Sequence, residues 1–260
     1  MRPLAKDLAQ ETALHRTHHR RLMPARYEES VRCAHHTLLD KGSGRWWNDR
    51  RMSSIPVAPS LKSITLFTAA YMLAAVAGSM AQGNKEFIFY IVVMLVLIAV
   101  VTLVHRAVNL TTALLWTLSI WGLLHMAGGL VPLPKGWPYN EEQAVLYSWW
   151  IIPQRLKYDQ IVHAYGFGVT TWVCWHCLKS TMQRGFGIQL RPTFGLLVLS
   201  AAAGVGFGAL NEVVEFIAVL TIPNTNVGGY ENTGWDLVAN LIGATLAAVI
   251  IRFDQKASAV

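Results

Sequence analysis

The sequence predicts an all-α protein of the polytopic membrane class, a bundle of six transmembrane helices with both termini cytoplasmic. Three observations predict it. Of 260 residues, 53% are hydrophobic and only 14% charged, and the mean hydropathy is +0.35. Uncharged apolar runs of about the 17–25 residues needed to cross a bilayer recur along the chain. The cations are unevenly placed, since 12 of the 22 Lys and Arg precede Ile64.

Residues 1–60 form a basic, His-rich arm without sustained apolar periodicity, and no fold is expected there. Met23 and Met52 each offer an alternative start. The net charge of +7 does not mark a nucleic-acid binder, because the excess sits in this arm, where it suits a cytoplasmic anchor beside anionic lipid. The histidines of "HRTHH" (His15, His18, His19) and the pair His35 and His36 give the arm at most weak metal affinity. Cys33, Cys174 and Cys177 do not make a secreted disulfide framework.

The first apolar segment, 64–80, competes with a cleaved signal peptide, but its apolar stretch is long for one and its cleavage pattern loose. Segments 87–104 and 110–131 follow, then 161–178, then 193–220, whose 28 positions suit a tilted span. The last, 237–251, has the polar lead-in "ENTGWD", and 253–260 is a short cytoplasmic tail after a transmembrane domain of 61–252. Loop 132–158 is too apolar for a simple linker. Trp149, Trp150, Ile151 and Ile152 suggest a short amphipathic or re-entrant piece at the membrane interface, closed by Pro153.

The positive-inside rule orients these helices. With the N-terminus inside, only Lys85, Lys135, Arg155 and Lys157 fall outside and 18 of 22 cations fall in the cytoplasm, as expected for the inner membrane.

Polar residues then gather at one depth. Helix three carries His125 near its outer end. Helix four starts outside with Asp159 and His163 at i,i+4, and helix six with Asp236 and Asn240 at the same spacing. Helix five carries Glu212 and Glu215 about 7–12 Å before its apolar end at 1.5 Å per residue. Each pair shares a helix face. An ionised residue at mid-helix costs about 2.5–3.5 kcal/mol on insertion scales, so these side chains are expected to face the bundle interior and find partners. Asp159 and Asp236, taken singly, read more readily as helix caps, and His125 as a core histidine. Glu212 and Glu215 sit too deep in helix five for a cap. The expected reactive set is Asp159, His163, Glu212, Glu215 and Asp236, and the expected metal ligands are His125, His163, Glu212, Glu215 and Asp236.

The stretches "YDQIVHAYGFG", "NEVVEF" and "ENTGWDLVANLIGATLAA" resemble the VanZ-like membrane proteins. The likeness is greater to the inner-membrane family of unknown function typified by YjdF, which adds a His-x-x-Gly segment matched here by His125 and Gly128. The resemblance spans 64–251 and implies a compact multi-helix membrane domain with Asp159, His163, Glu212, Glu215 and Asp236 as its polar set. It implies no particular reaction.

Other motifs are weighed against packing. "CWHC" has Cys-x-x-Cys spacing but no second pair, and buried thiols in helix packing account for it better than zinc or redox chemistry. Gly204, Gly206 and Gly208 follow no strand and suit close helix approach rather than a nucleotide loop.

Three functional readings stay open. The first is hydrolysis or group transfer on a lipid-linked or envelope precursor, with a divalent ion such as Zn²⁺, Mn²⁺, Fe²⁺ or Mg²⁺ or by acid–base catalysis alone. The second is a transporter or proton relay. The third is a structural module stapled by its own polar cluster. Membrane lipids and a lipid-linked substrate are the expected partners.

Overall fold

A computed structural model describes residues 59–83, 85–139, 143–223 and 225–257. The arm's histidines, Cys33 and the end of the tail lie outside them.

Among the described residues six long helices make the bundle: α1 (Pro59–Gln82), α2 (Lys85–Val108), α3 (Thr112–Leu130), α4 (Tyr158–Phe186), α5 (Phe194–Thr221) and α6 (Tyr230–Ala257). Five of them, all but α4, are long and apolar enough to cross a membrane. Their outward faces carry Leu66, Leu73, Leu199, Phe216 and Leu220, an exposed apolar surface that water would not tolerate and lipid requires.

Local signals stop and start the helices. Asn109 (φ 51°) and Gly187 (φ 69°) take left-handed conformations after α2 and α4, turning the chain sharply at both sites. Thr111 caps α3 by accepting from the Leu114 N–H at 3.3 Å.

Contacts between helices fix their directions. Between α3 and α4, Tyr158 Oη donates to Leu124 O (3.0 Å) and Tyr165 Oη to Thr117 O (3.2 Å), and further along α4 Arg184 Nη1 donates to Ala107 O at the end of α2 (2.5 Å). α3 and α4 are therefore antiparallel, and α4, with 29 residues against 19, runs on past the start of α3 to the end of α2 although it is the least apolar helix. It can be polar because α3, α5 and α6 all pack on it. α6 runs parallel to α4, its Gly243 facing Ala164 and Gly168 at backbone contact. α5 runs the opposite way and packs on both, with Gly204 against Thr171 and Gly208 against Asn240, while Gly206 meets nothing. Close approach through small residues thus accounts for two of the three glycines.

Apolar packing holds the other half: Tyr71, Met72 and Ala75 of α1, Phe87, Ile91 and Met94 of α2 and Met126 of α3 form one buried cluster. Arg252 Nη1 donates to Pro192 O at 3.0 Å, which puts the end of α6 beside the start of α5. The start of α1 and the end of α6 accordingly lie at one end of the bundle, and loop 131–157 at the other.

The structure differs from three sequence expectations. α6 begins at Tyr230, so Asp236 lies almost two turns inside a helix and is not a cap. Asn232, Asp236 and Asn240 recur every four residues and form one inward polar stripe, which hydropathy reads as a loop. The tail expected from 253 is helical through Ala257. Where a short amphipathic or re-entrant piece is expected in the 132–158 loop, the described residues form a 3₁₀ turn (Leu146–Ser148) that leads into a hairpin of β1 (Trp150–Ile152) and β2 (Leu156–Lys157). Trp137 and Trp149 stack with ring centroids 4.4 Å apart and hold this hairpin to the preceding chain.

Candidate functional site

His163, on the second turn of α4, is the centre of a buried acid cluster and is only 5% exposed. On one side of the ring, Nδ1 lies 3.1 Å from Asn240 Oδ1 and 3.6 Å from Glu212 Oε1. On the other, Nε2 lies 3.5 Å from Asp159 Oδ1 and 3.8 Å from Glu215 Oε1. Three helices therefore bring oxygen atoms to both nitrogens of one imidazole. With Nδ1–H donating to Asn240, Nε2 keeps its lone pair for a proton or a cation.

Each acid is placed by its own helix. Asp159 lies in the first turn of α4, where the helix dipole favours its charge. Glu215 Oε1 accepts from Asn211 Nδ2 at 2.7 Å, one turn back on α5. Asp236 and Asn240 are fully buried. Asp236 Oδ2 accepts from Asn232 Nδ2 at 2.6 Å, and Asn232 Oδ1 accepts in turn from Lys157 Nζ at 2.5 Å. A buried ammonium is thereby coupled to the acid centre through one amide. Gly208 makes this arrangement possible, because a methyl group there would meet the Asn240 side chain at 2.6 Å.

Several polar atoms of the cluster have no hydrogen-bond partner: both carboxylate oxygens of Glu212, Asp236 Oδ1 and Asn240 Nδ2. Buried polar atoms are normally satisfied, and three acidic oxygens left open around one histidine call for a proton, a water or a cation. Ligand atoms from His163, Glu212 and Glu215, and likewise from Asp159, His163 and Asp236, lie within 4.8 Å of one another. These oxygens and one imidazole nitrogen suit a hard to borderline divalent ion.

A cavity of about 50 Å³ adjoins the cluster, lined by Asp159, Glu215, Glu86, Tyr90, His125 and Tyr147 among others. His125 stands in this cavity, outside both His163-centred groups. Its Nδ1 lies 2.5 Å from the Tyr147 hydroxyl, delivered by the 3₁₀ turn of the loop. Gly128 is what admits that ring, since a side chain there would overlap it, and this gives the His-x-x-Gly spacing a steric meaning. Burial, reinforced by Asp159 and Glu215, pushes the Tyr147 phenol well above its ordinary value, so it stays a neutral donor.

The structure thus brings together Asp159, His163, Glu212, Glu215 and Asp236 and sets His125 across the cavity. Sequence reasoning passed over Glu86, whose Oε2 accepts from the Asn226 N–H at 2.9 Å, and Asn226, whose Nδ2 donates to Ser148 Oγ at 3.2 Å. Those two bonds tie α2, the α5–α6 linker and the loop over the site. It also passed over Tyr147, Asn211 and Asn232; only the four-residue spacing of Asn232 with Asp236 carried a local signal. Cys174 and Cys177 are half-buried free thiols, and Cys177 packs against the apolar cluster around Leu114. His176 Nε2 lies 3.2 Å from Asn109 O, beside the α2–α3 turn.

No curated protein and no solved structure matches the chain. A family described as "Predicted membrane protein (DUF2238)" matches residues 63–257, three quarters of the chain and all of the acid cluster. The chain therefore belongs to the DUF2238 family of predicted membrane proteins.

Proposed function

We propose that this membrane protein holds a divalent cation between His163, Glu212 and Glu215, with Asp159 and Asp236 beside it, and catalyses hydrolysis or group transfer on a lipid-linked or envelope precursor. The observation that carries this is the set of three partnerless acidic oxygens on Glu212 and Asp236 around a single imidazole. In a low-dielectric interior such oxygens destabilise the fold unless positive charge or protons are supplied. A divalent ion held by His163, Glu212 and Glu215 would supply that charge and, when bound, would provide Lewis-acid activation of water and of a phosphoryl oxygen. Asn240 fixes the tautomer of His163, as a supporting carbonyl commonly does for a metal-ligating histidine. Asp159 is placed to accept a proton at Oδ1, and Tyr147 with His125 to donate one across the cavity.

We place the site on the outer face of the inner membrane, with α4 as a sixth span and both termini cytoplasmic. The cation asymmetry supports this orientation. Kinship with the VanZ-like and YjdF-type proteins is part of the proposal, supported by the Asp159/His163, Glu212/Glu215 and Asp236/Asn240 pairs meeting in one cluster.

Metal analysis of protein purified in detergent and dialysed against Zn²⁺ or Mn²⁺ tests it. One ion per chain is expected, lost in His163→Gln and Glu215→Gln. Wild-type protein without stoichiometric metal overturns the metal centre.

A further inference from the structure

A second cavity, unrelated to the acid cluster, opens between α3 and α6 and is floored by α4; its volume is about 680 Å³, within the range of small-molecule sites. We infer that this groove binds one acyl chain of an anionic glycerophospholipid, with the lipid phosphate held at Arg155.

The seam between floor and wall is made of glycine. Gly168 and Gly243 bring the backbones of α4 and α6 into contact, and a methyl group on either would meet backbone atoms of the other helix. The lining is otherwise almost wholly apolar, and Arg155 alone among the lining residues is charged. Arg155 lies at the tip of the hairpin just before β2, at the same end as Gln160 and Trp235 near the starts of α4 and α6. A single cation above a long apolar slot is complementary to a phosphodiester with its tail below it, and a guanidinium offers the two-pronged donor a phosphate accepts. The lengths agree. From Gln160 to Trp172 the floor runs about 18 Å, and from Trp235 to Ile250 the wall runs about 22 Å. One leaflet's hydrocarbon is about 15 Å thick, half of a bilayer core. Trp235 at the mouth sits where indole rings favour the headgroup level.

His163 and Phe167 share one face of α4, whereas Ile161, Tyr165, Gly168 and Trp172 of the groove share the other. The lipid site therefore stands or falls independently of the proposed metal centre.

Native mass spectrometry of the full chain, incubated in mild detergent with equal phosphatidylglycerol and phosphatidylcholine of the same chains, tests it. One phosphatidylglycerol retained per protein is expected, in preference to phosphatidylcholine. Arg155→Gln, on an exposed hairpin, should lower that preference about five-fold. Ile242→Trp fills the groove from its open wall and should abolish retention. If Ile242→Trp does not fold, judged by circular dichroism, Val238→Phe in the same groove replaces it. No bound lipid, equal retention of the two lipids by wild-type protein, or retention unaffected by filling the groove overturns the inference. So does a dimer that Ile242→Trp converts to monomers, which would make the groove an interface between two copies.

Discussion

Replacing Glu212 by Leu should stabilise the protein in chelator, and added metal should erase that advantage. Glu212 is buried, and neither of its oxygens has a hydrogen-bond partner. A buried unsatisfied polar group costs about 1–3 kcal/mol. Leu removes both oxygens at similar volume, at the loss of only a 3.6 Å approach to His163 Nδ1. The metal-free variant should therefore gain at least about 2 kcal/mol over wild type. An ion at a hundred times its dissociation constant stabilises the protein that binds it by about 2.7 kcal/mol and leaves a non-binder unchanged. Wild type should then match or overtake Glu212→Leu as Zn²⁺ or Mn²⁺ is added. Unfolding in detergent micelles, followed by circular dichroism in chelator and across a metal titration, reads both quantities. A variant less stable than wild type in chelator, or a metal shift equal in both proteins, would refute the reasoning.

The glycines offer a paired test in the same assay. Gly243→Ala drives a methyl group into the Ala164 carbonyl and should cost about 1–3 kcal/mol as overpacking, whereas Gly206→Ala meets nothing and should be neutral or gain up to about 1 kcal/mol of helix propensity. Tyr147→Phe removes the hydroxyl beside His125 Nδ1 and should lower stability by about 1 kcal/mol, with no effect on helix content. In intact cells carrying an otherwise cysteine-free protein, Lys135→Cys should react with a membrane-impermeant maleimide and Gln183→Cys should not, and the reverse pattern would invert the proposed orientation.

Much of the fold was legible because a bilayer makes hydropathy a direct readout of helix position. The segments at 87–104 and 193–220 fall inside or within a residue of α2 and α5. The misses share a cause. A helix enclosed by others need not be apolar, so the first two turns of α6 carry a polar stripe that hydropathy discards, although the four-residue repeat of Asn232, Asp236 and Asn240 records it. Glu86 was lost in the same way, as a charge just ahead of an apolar run. The convergence of Asp159, His163, Glu212, Glu215 and Asp236 was accessible because depth could be counted from the helix ends. The reach of Tyr147 to His125 and of Asn226 to Ser148 and Glu86 was not, since loop partners distant in sequence leave no local period.

Along α4 the polar side chains give way to apolar ones below the acid cluster. Below His163 on the same face of α4 come Phe167, Thr171 and, a turn further, Trp175. The Thr171 hydroxyl is fully buried, donates back to Phe167 O at 2.8 Å and packs against Gly204. Trp175 is sealed with Leu197 and Ile251 in an apolar cluster. From His163 to His176, the next imidazole along α4, is about 20 Å of helix rise, and His176 faces the α2–α3 turn rather than this path. Proton transfer across such a distance needs a chain of hydrogen-bonding side chains or water, and on this face of α4 the Thr171 hydroxyl, already engaged with Phe167 O, is followed by the apolar cluster of Trp175, Leu197 and Ile251. Proteoliposomes loaded with a pH-sensitive dye should therefore show no proton flux above that of empty vesicles under an imposed potential. A flux abolished by Glu215→Gln would mean that the apolar cluster opens, and the acid cluster would then be one end of a pathway rather than a closed chemical site.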